Sequence, residues 1–408
     1  MEYKALEKVY YSDHTTEKST YEQVYQAYLN SPATVVLSQK IGEFPIFFVQ
    51  TTELVNKLYQ ISSLEKGLYR TLDRLPKIAL QQYTRLLLIN EVHITNEIEG
   101  VVSTRKEISE ILESNKRTNK NARLFNLVKK YAKLVSNEQI PLDTCEDVRA
   151  LYDEIVLPEI VATDKNNAPD GMIFRKEAVY VKDEKQEIIH SGLLPESKII
   201  EAMNGVLQII KNEKINILCR IAIAHYLIGY IHPFYDGNGR LNRFISSYLI
   251  SQELNAIIGY GISYTIKSNK NKYAKLFSNT NKLQNRGDLT HFILGFFDII
   301  IEAIENINSN LQKKKEKYFY YINLLGNMKD IRRREVCCLL MQNALFDEDG
   351  FTKSEIVEFV NSKNISMSIQ TLRKIFVEYN EIIVSSRQSK KRYTLDLDKF
   401  DEYSKNLG

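Results

Sequence analysis

The sequence predicts a mainly α-helical chain of more than one domain, and three observations carry that prediction. Glycine and proline are scarce, at 16 and 8 of 408 residues. Long stretches are built from Leu, Ile, Lys and Glu, which hold a helix well. Apolar residues recur at gaps of three, four and seven over most of the chain, the period of a helix with one buried face. A length of 408 residues gives room for two or three domains. The expected boundaries are an N-terminal region 1–76, a central helical domain 77–325 and a C-terminal module 330–408.

In chain order, residues 1–60 are mixed, with a short strand expected over Gly42–Gln50. A long helix follows from Lys77 to Glu99. There Leu80, Tyr83, Leu87, Ile94 and Ile98 draw one apolar stripe, Pro76 stands at its start and Gly100 at its end. Further helices are expected over Arg105–Ser114, Asn121–Val135 and 144–156. Between Gly171 and Leu194 the period changes to two. Phe174–Val181 alternates, Lys182–Glu187 is a charged turn, and Ile188-Ile189-His190 resumes the pattern, which predicts a β-hairpin. Helical patterning returns at Pro195 and runs to about Leu325. The C-terminal module reads as helices Ile331–Ala344, Thr352–Asn361 and Ser368–Tyr379, then strands Ile382–Ser385 and Arg392–Leu395.

Bulk properties narrow the function. No apolar run reaches the ~18 residues of a membrane span, and the polar start Met1-Glu2-Tyr3-Lys4 lacks the apolar core of a secretory signal. A cytoplasmic protein with no membrane partner is expected. Cys145, Cys219, Cys337 and Cys338 show no CxxC spacing, so neither zinc site nor disulfide framework is indicated. The net charge of +4 does not by itself ask for nucleic acid. No GxxxxGK(S/T) phosphate loop and no HExxH zinc motif occurs.

The chemistry concentrates in His232-Pro233-Phe234-Tyr235-Asp236-Gly237-Asn238-Gly239-Arg240-Leu241-Asn242-Arg243. Cys219–Ile231 reads as an apolar helix with Ile221, Ala224, Ile228 and Ile231 on one face, which delivers His232 to a helix end. Helix resumes over Arg240–Ser251, so Gly237 and Gly239 precede a helix N-terminus, where free N–H groups and a partial positive charge meet an anion. Glycines allow close approach of the backbone. Asn238 can donate to a phosphate oxygen. Arg240 and Arg243 are three apart, and each can grip phosphate oxygens bidentately. Asp236 is a hard oxygen ligand suited to Mg²⁺, and His232 is a natural proton acceptor near neutral pH. A packed histidine, a tight turn and solvated arginines account for these residues singly; no structural need accounts for all of them in this order. His225, seven residues before His232, reads as packed or capped in preference to a metal ligand.

The twelve residues resemble the signature loop HPFx(D/E)GNGRxxR of Fic-domain proteins without departure, and the resemblance extends over roughly 80–310. It implies a Fic-type helical bundle with a β-hairpin flap, and transfer of AMP from ATP with Mg²⁺ to a protein Ser, Thr or Tyr. It makes His232 the general base and Asp236 the Mg²⁺ ligand. Gly237, Asn238 and Gly239 become the phosphate cradle, and Arg240 and Arg243 phosphate contacts. Relatives that phosphorylate carry lysine where Gly239 stands. Thr95-Asn96-Glu97-Ile98-Glu99-Gly100 resembles the family's inhibitory motif (S/T)xxxE(G/N). That implies an autoinhibitory contact of Glu99 with Arg243, with Thr95 on the same helix face. The hairpin resembles the flap that docks a target strand, with an ordinary structural hairpin as the rival reading. Ile262–Ile266 and Asn271-Lys272-Tyr273 resemble a nucleotide-enclosing stretch. Relatives often show two tyrosines there and this chain has Tyr273-Ala274, so Tyr273 is either a nucleotide contact or core.

The C-terminal order resembles a winged helix, with Arg373, Lys374, Arg387, Lys390, Lys391 and Arg392 as DNA contacts. From Asp330 to Gly408 there are 13 basic and 13 acidic residues, net zero, which favours a protein contact over DNA. The target protein is not legible. Self-modification and a homo-oligomer stay open, as do a nucleotide-sensing transcriptional regulator, a phosphotransferase, and removal of AMP by the same site.

Overall fold

The computed structural model describes residues 3–12, 19–114, 122–136, 138–182, 187–347, 349–385 and 391–405. Asn121, the hairpin turn between Lys182 and Glu187, and Arg387 and Lys390 of the expected basic face lie outside them. The fold is mainly α, and among the described residues the strands form three two-stranded antiparallel pairs. No described helix is long and apolar enough to cross a membrane.

Two compact units are present, Met1–Lys66 with Ile89–Glu305, and Gly67–Leu88 with Asn306–Gly408. These differ from the expected boundaries at 76 and 325–330. The divisions fall inside the helices Thr52–Leu72, Lys77–Ile98 and Thr290–Gly326, where the sequence shows no composition break. Residues Met1–Lys66 of the N-terminal region are part of the first unit. Strand Phe44–Val49 pairs with Thr34–Ile41 on one side. On the other, the Phe47 amide donates to the Gly287 carbonyl and Leu289 N–H donates to Phe47 O at 2.8 Å. Tyr3 Oη donates to Asp288 Oδ2 at 2.9 Å, and burial pushes that carboxyl up to about 6.

Within the first unit, Lys77–Ile98 contributes its last turns from Ile89. Here the single apolar stripe gives way to burial on several faces, with Glu91, Thr95 and Asn96 fully buried. Helices Arg105–Glu113, Ala122–Ala132 and Cys145–Ile155 follow as expected. Thr144 and Asp147 form a reciprocal capping box at the last of these. An unexpected helix, Leu157–Thr163, comes next. Helix Ile217–Ile231 is buried almost all round, not on one face, because Glu196–Lys211 and Asn238–Glu253 both pack on it.

The hairpin is shorter than expected. Tyr180–Lys182 pairs with Ile188–Ser191, and 174–179 is not strand. The reason is local: the backbone there is bonded to other partners. Arg175 N–H donates to Pro233 O at 3.2 Å, Lys176 N–H to Asp170 Oδ1 and Glu177 N–H to Tyr235 Oη.

In the second unit, Tyr83 Oη donates to Ile307 O at 3.2 Å, and Arg85 pairs with Asp347 and Asp349 at 3.1 and 2.6 Å. The C-terminal elements keep the expected order, as Ile331–Phe346, Lys353–Ser362, Ile369–Glu378, Ile383–Ser385 and Tyr393–Leu395. A further helix, Leu397–Lys405, follows. Arg373 and Lys374 are exposed, whereas Arg392 donates to Gly350 O at 2.7 Å and sits 3.6 Å from Glu355.

Candidate active site

The site begins where helix Ile217–Ile231 ends. His232 closes that helix in the left-handed region, at φ 53 and ψ 63, a conformation uncommon for a residue with a Cβ. Its Nδ1 lies 3.4 Å from the Gly229 carbonyl. Burial pushes its pKa down to about 4, so the imidazole is neutral at pH 7. With Nδ1–H donated to a carbonyl, Nε2 is left as the proton acceptor.

The loop then folds around Phe234. This ring is fully buried and stacks on Tyr152 with centroids 3.7 Å apart, while Phe174 meets it edge-on. Asn238 closes the loop from the other side. Its Oδ1 accepts from Phe234 N–H at 2.9 Å and its Nδ2 donates to Phe234 O at 2.7 Å. The side chain expected to donate to phosphate is therefore engaged by the loop itself.

Gly237, at φ 75, is the N-cap of helix Asn238–Glu253. The first helical amide with a carbonyl partner is Leu241, bonded to Gly237 O, so the amides of Asn238, Gly239 and Arg240 open the helix. A Cβ on Gly237 would fall 2.2 Å from Val156 Cγ1. Gly237→Ala combines that clash with a strained backbone, and a loss of ~1–3 kcal/mol is expected; a thermal melt checks it.

The two arginines part company. Arg243 Nε donates to Thr95 Oγ1 at 2.8 Å, and its Nη2 to Thr95 O at 3.0 Å and to Glu99 Oε1 at 2.8 Å. Glu99 stands just past the helix end, in a turn where Gly100, at φ 71, donates to Glu97 O and Val101 N–H to Asn96 O. That is a Schellman closure of helix Lys77–Ile98, and from it the Glu99 carboxylate meets Arg243 of helix Asn238–Glu253. Burial raises the Glu99 carboxyl, but Arg243, with Arg240 and His232, brings it below its ordinary value. The carboxylate also covers Gly239, where a Cβ would lie 2.2 Å from its Oε1.

Arg240 instead turns to Glu159 of the unexpected helix, with Nη1 to Oε2 at 2.5 Å and both side chains buried. Its Nε is buried without a partner.

Glu99, His232, Asn238, Gly239, Arg243 and Tyr273 line one cavity of about 480 Å³; Asp236, Gly237, Arg240 and Thr95 do not. Asp236 is exposed on the loop, with Oδ1 accepting from Gly237 N–H at 2.5 Å. Tyr273 reaches the cavity wall while its hydroxyl bonds His225 Nε2 at 2.7 Å, and His225 Nδ1 meets Ser246 Oγ at 2.7 Å. His225 is thus a packed, bonded core residue, pushed down to about 3 by burial.

Sequence reasoning missed Glu91, Glu159 and Arg175. Glu91 had a signal, since it stands four before Thr95 and eight before Glu99 on one helix row. It accepts from Ser263 N–H at 3.0 Å and Ser263 Oγ at 2.6 Å. Burial raises it to about 7 even though Ser263, Arg243 and Ser247 lower it. A raised folded-state pKa gives stability that is complete below the unfolded value and lost as pH rises through 7. Glu91→Gln should therefore melt higher than the parent at pH 8, by ~1–3 kcal/mol, and show little advantage at pH 5.

The Fic/DOC family model matches residues 142–250, which includes the whole loop. A protein adenylyltransferase Fic of Drosophila yakuba is 38% identical over 72 residues, 18% of this chain and 13% of that protein. The Drosophila melanogaster protein of the same name is 36% identical over the same length. The chain thus spans about 13% of the length of these curated relatives. Among solved structures, a Fic family protein from Desulfovibrio desulfuricans G20 covers 85% of this chain and 96% of its own, at 17% identity and a TM-score of 0.50. That likeness concerns the fold.

Proposed function

Residues 142–250 are a Fic/DOC-family domain, and on that premise we propose that this chain transfers AMP from ATP to a Ser, Thr or Tyr hydroxyl of a protein, its own chain included, under restraint by Glu99. The observation that carries the reading is one cavity shared by His232, the opening turn of a helix at Gly239, and Arg243 with Glu99 bound to it. The hydroxyl oxygen would bond to the α-phosphorus as the α–β bridge breaks, pyrophosphate would leave, and the proton would pass to His232 Nε2. Free amides at a helix N-terminus suit the negative charge of the phosphates.

Mg²⁺ fits the residues present. It is ordinarily held by one or two carboxylates together with substrate phosphates, and Asp236 offers an exposed carboxylate beside the cradle. When bound, the ion would neutralise charge on the phosphates. The hairpin edge at Tyr180–Lys182 would receive an extended target segment by strand addition.

Intact-mass spectrometry of Glu99→Gly protein after ATP and Mg²⁺, alone and with a lysate fraction, tests the reading. A mass gain of one AMP on some protein is expected, and none when His232 is also replaced. A gain of phosphate instead, or no gain in either arm, overturns it.

A further inference from the structure

Arg175 is fully buried, and every hydrogen bond its side chain makes goes to a backbone carbonyl. Nε donates to His232 O at 2.8 Å, Nη1 to Glu177 O at 2.6 Å, and Nη2 to Leu193 O at 3.0 Å and Ile231 O at 3.5 Å. The Arg175 amide adds Pro233 O at 3.2 Å. Three consecutive carbonyls, of Ile231, His232 and Pro233, are thus taken up by one residue. Ile231 O belongs to the last turn of helix Ile217–Ile231, where a cation is favoured by the helix dipole, and it also accepts from Leu193 N–H at 3.1 Å; His232 O and Pro233 O lie in the bend that follows.

A buried cation matched only to carbonyls is costly, and fold alone offers cheaper caps, such as water or a glycine. What this one achieves is specific to the site. It fixes the peptide groups on both sides of His232, which sits in a left-handed conformation that needs outside support. It also ties that bend to both roots of the hairpin, through Glu177 before the first strand and Leu193 after the second. Gly192 is a second, independent sign of the same arrangement. A Cβ there would lie 2.4 Å from Arg175 Nη2, 3.1 Å from His232 Cβ and 3.2 Å from Ile231 O, so the hairpin root is bare where it passes the clamp.

We propose that Arg175 is a positioning residue for the transfer reaction, which holds His232 in its working orientation and couples it to the flap. The proposal rests on the transferase reading of the site. The groups that face the imidazole include His190 on the flap, Glu99 and Arg175. Burial is the main cause of its low pKa, the charges of His190 and Arg175 lower it further, and Glu99 opposes them.

The test uses the 408-residue Glu99→Gly chain with Arg175→Met or Arg175→Lys added. ATP affinity is measured by calorimetry, kcat and KM by labelled transfer, and the His232 titration by NMR of labelled histidine, assigned against His232→Ala. For Arg175→Met, ATP affinity within ~2-fold of the parent, a kcat lower by ~10- to 100-fold and an upward move of the His232 midpoint are expected. Arg175→Lys keeps the charge and cannot reach all the carbonyls, so it should keep the midpoint and lose part of kcat. A folded Arg175→Met protein with parental kcat, or with an unmoved His232 midpoint, overturns the proposal. If Arg175→Met does not fold, parental kcat in Arg175→Lys overturns it. A Glu99→Gly parent with no transfer at all defeats the transferase reading instead, and the NMR titration still judges the clamp.

Discussion

Replacing His232 by alanine in the Glu99→Gly protein should lower AMP transfer by ~10²–10⁴-fold, the usual worth of a positioned general base, with ATP binding nearly unchanged. The nucleotide is to be held by the helix N-terminus and the arginines, none of which contacts the imidazole ring through a hydrogen bond; that ring's bond is to Gly229 O at 3.4 Å. The pH profile separates a base from a spacer. A histidine titrating near 4 stays able to accept a proton across the neutral range. The rate should therefore be flat from pH 8 down to about 5 and fall below that, as the ring charges. The alanine variant should lack this acid limb. A variant that retains parental kcat, or an unaltered acid limb in the alanine protein, removes His232 from the chemistry.

How much of this was legible depended on whether the signal was local. The loop was read because its chemistry is contiguous: His232, the two glycines and both arginines fall within twelve residues, and the flanking helices announce themselves by apolar content. Thr95 and Glu99 were read from four-residue spacing on one helix. The supports were not read, because each acts across the chain. Glu159 reaches Arg240 over 81 residues from a helix of seven residues, too short to stand out by periodicity. Arg175 sits in an alternating run whose natural reading is a strand, and what overrides that reading is the carbonyls of a bend 57 residues later. Asn238 shows the converse limit. Its residue type suits a phosphate donor, yet its bonds close the loop on Phe234, and only the folded loop reveals that choice. The compact units divide elsewhere than the expected boundaries, inside regular helices where composition does not change.

Glu99→Gly should raise AMP transfer by ~5- to 150-fold at saturating ATP, the range of ordinary coupling free energies between two sites. The argument starts from Arg243, which is buried and already satisfied by Thr95 and Glu99. A phosphate that approaches this guanidinium must displace a carboxylate held by charge and by a hydrogen bond, and meets that carboxylate's repulsion on the way. Removing it frees one Arg243 donor and opens the space over Gly239 that its Oε1 now fills. Without ATP the same change leaves a buried cation short of a partner. Glu99→Gly should thus melt below the parent, and added ATP with Mg²⁺ should recover more stability in the variant than in the parent. The charge can be tested apart from the bulk with Glu99→Gln, which keeps size and should give an intermediate rate. The pH dependence has a fixed sign. A carboxyl held below its ordinary value stays ionised throughout the neutral range, so its stabilising contact is present above the unfolded pKa of ~4.3. It is lost only as pH falls through the lower folded value. The rate ratio of variant to parent should accordingly be constant between pH 6 and 8 and shrink only in acid. A variant no faster than its parent and with no gain in ATP affinity would mean that the Glu99–Arg243 pair is a structural tie and does not restrain the site.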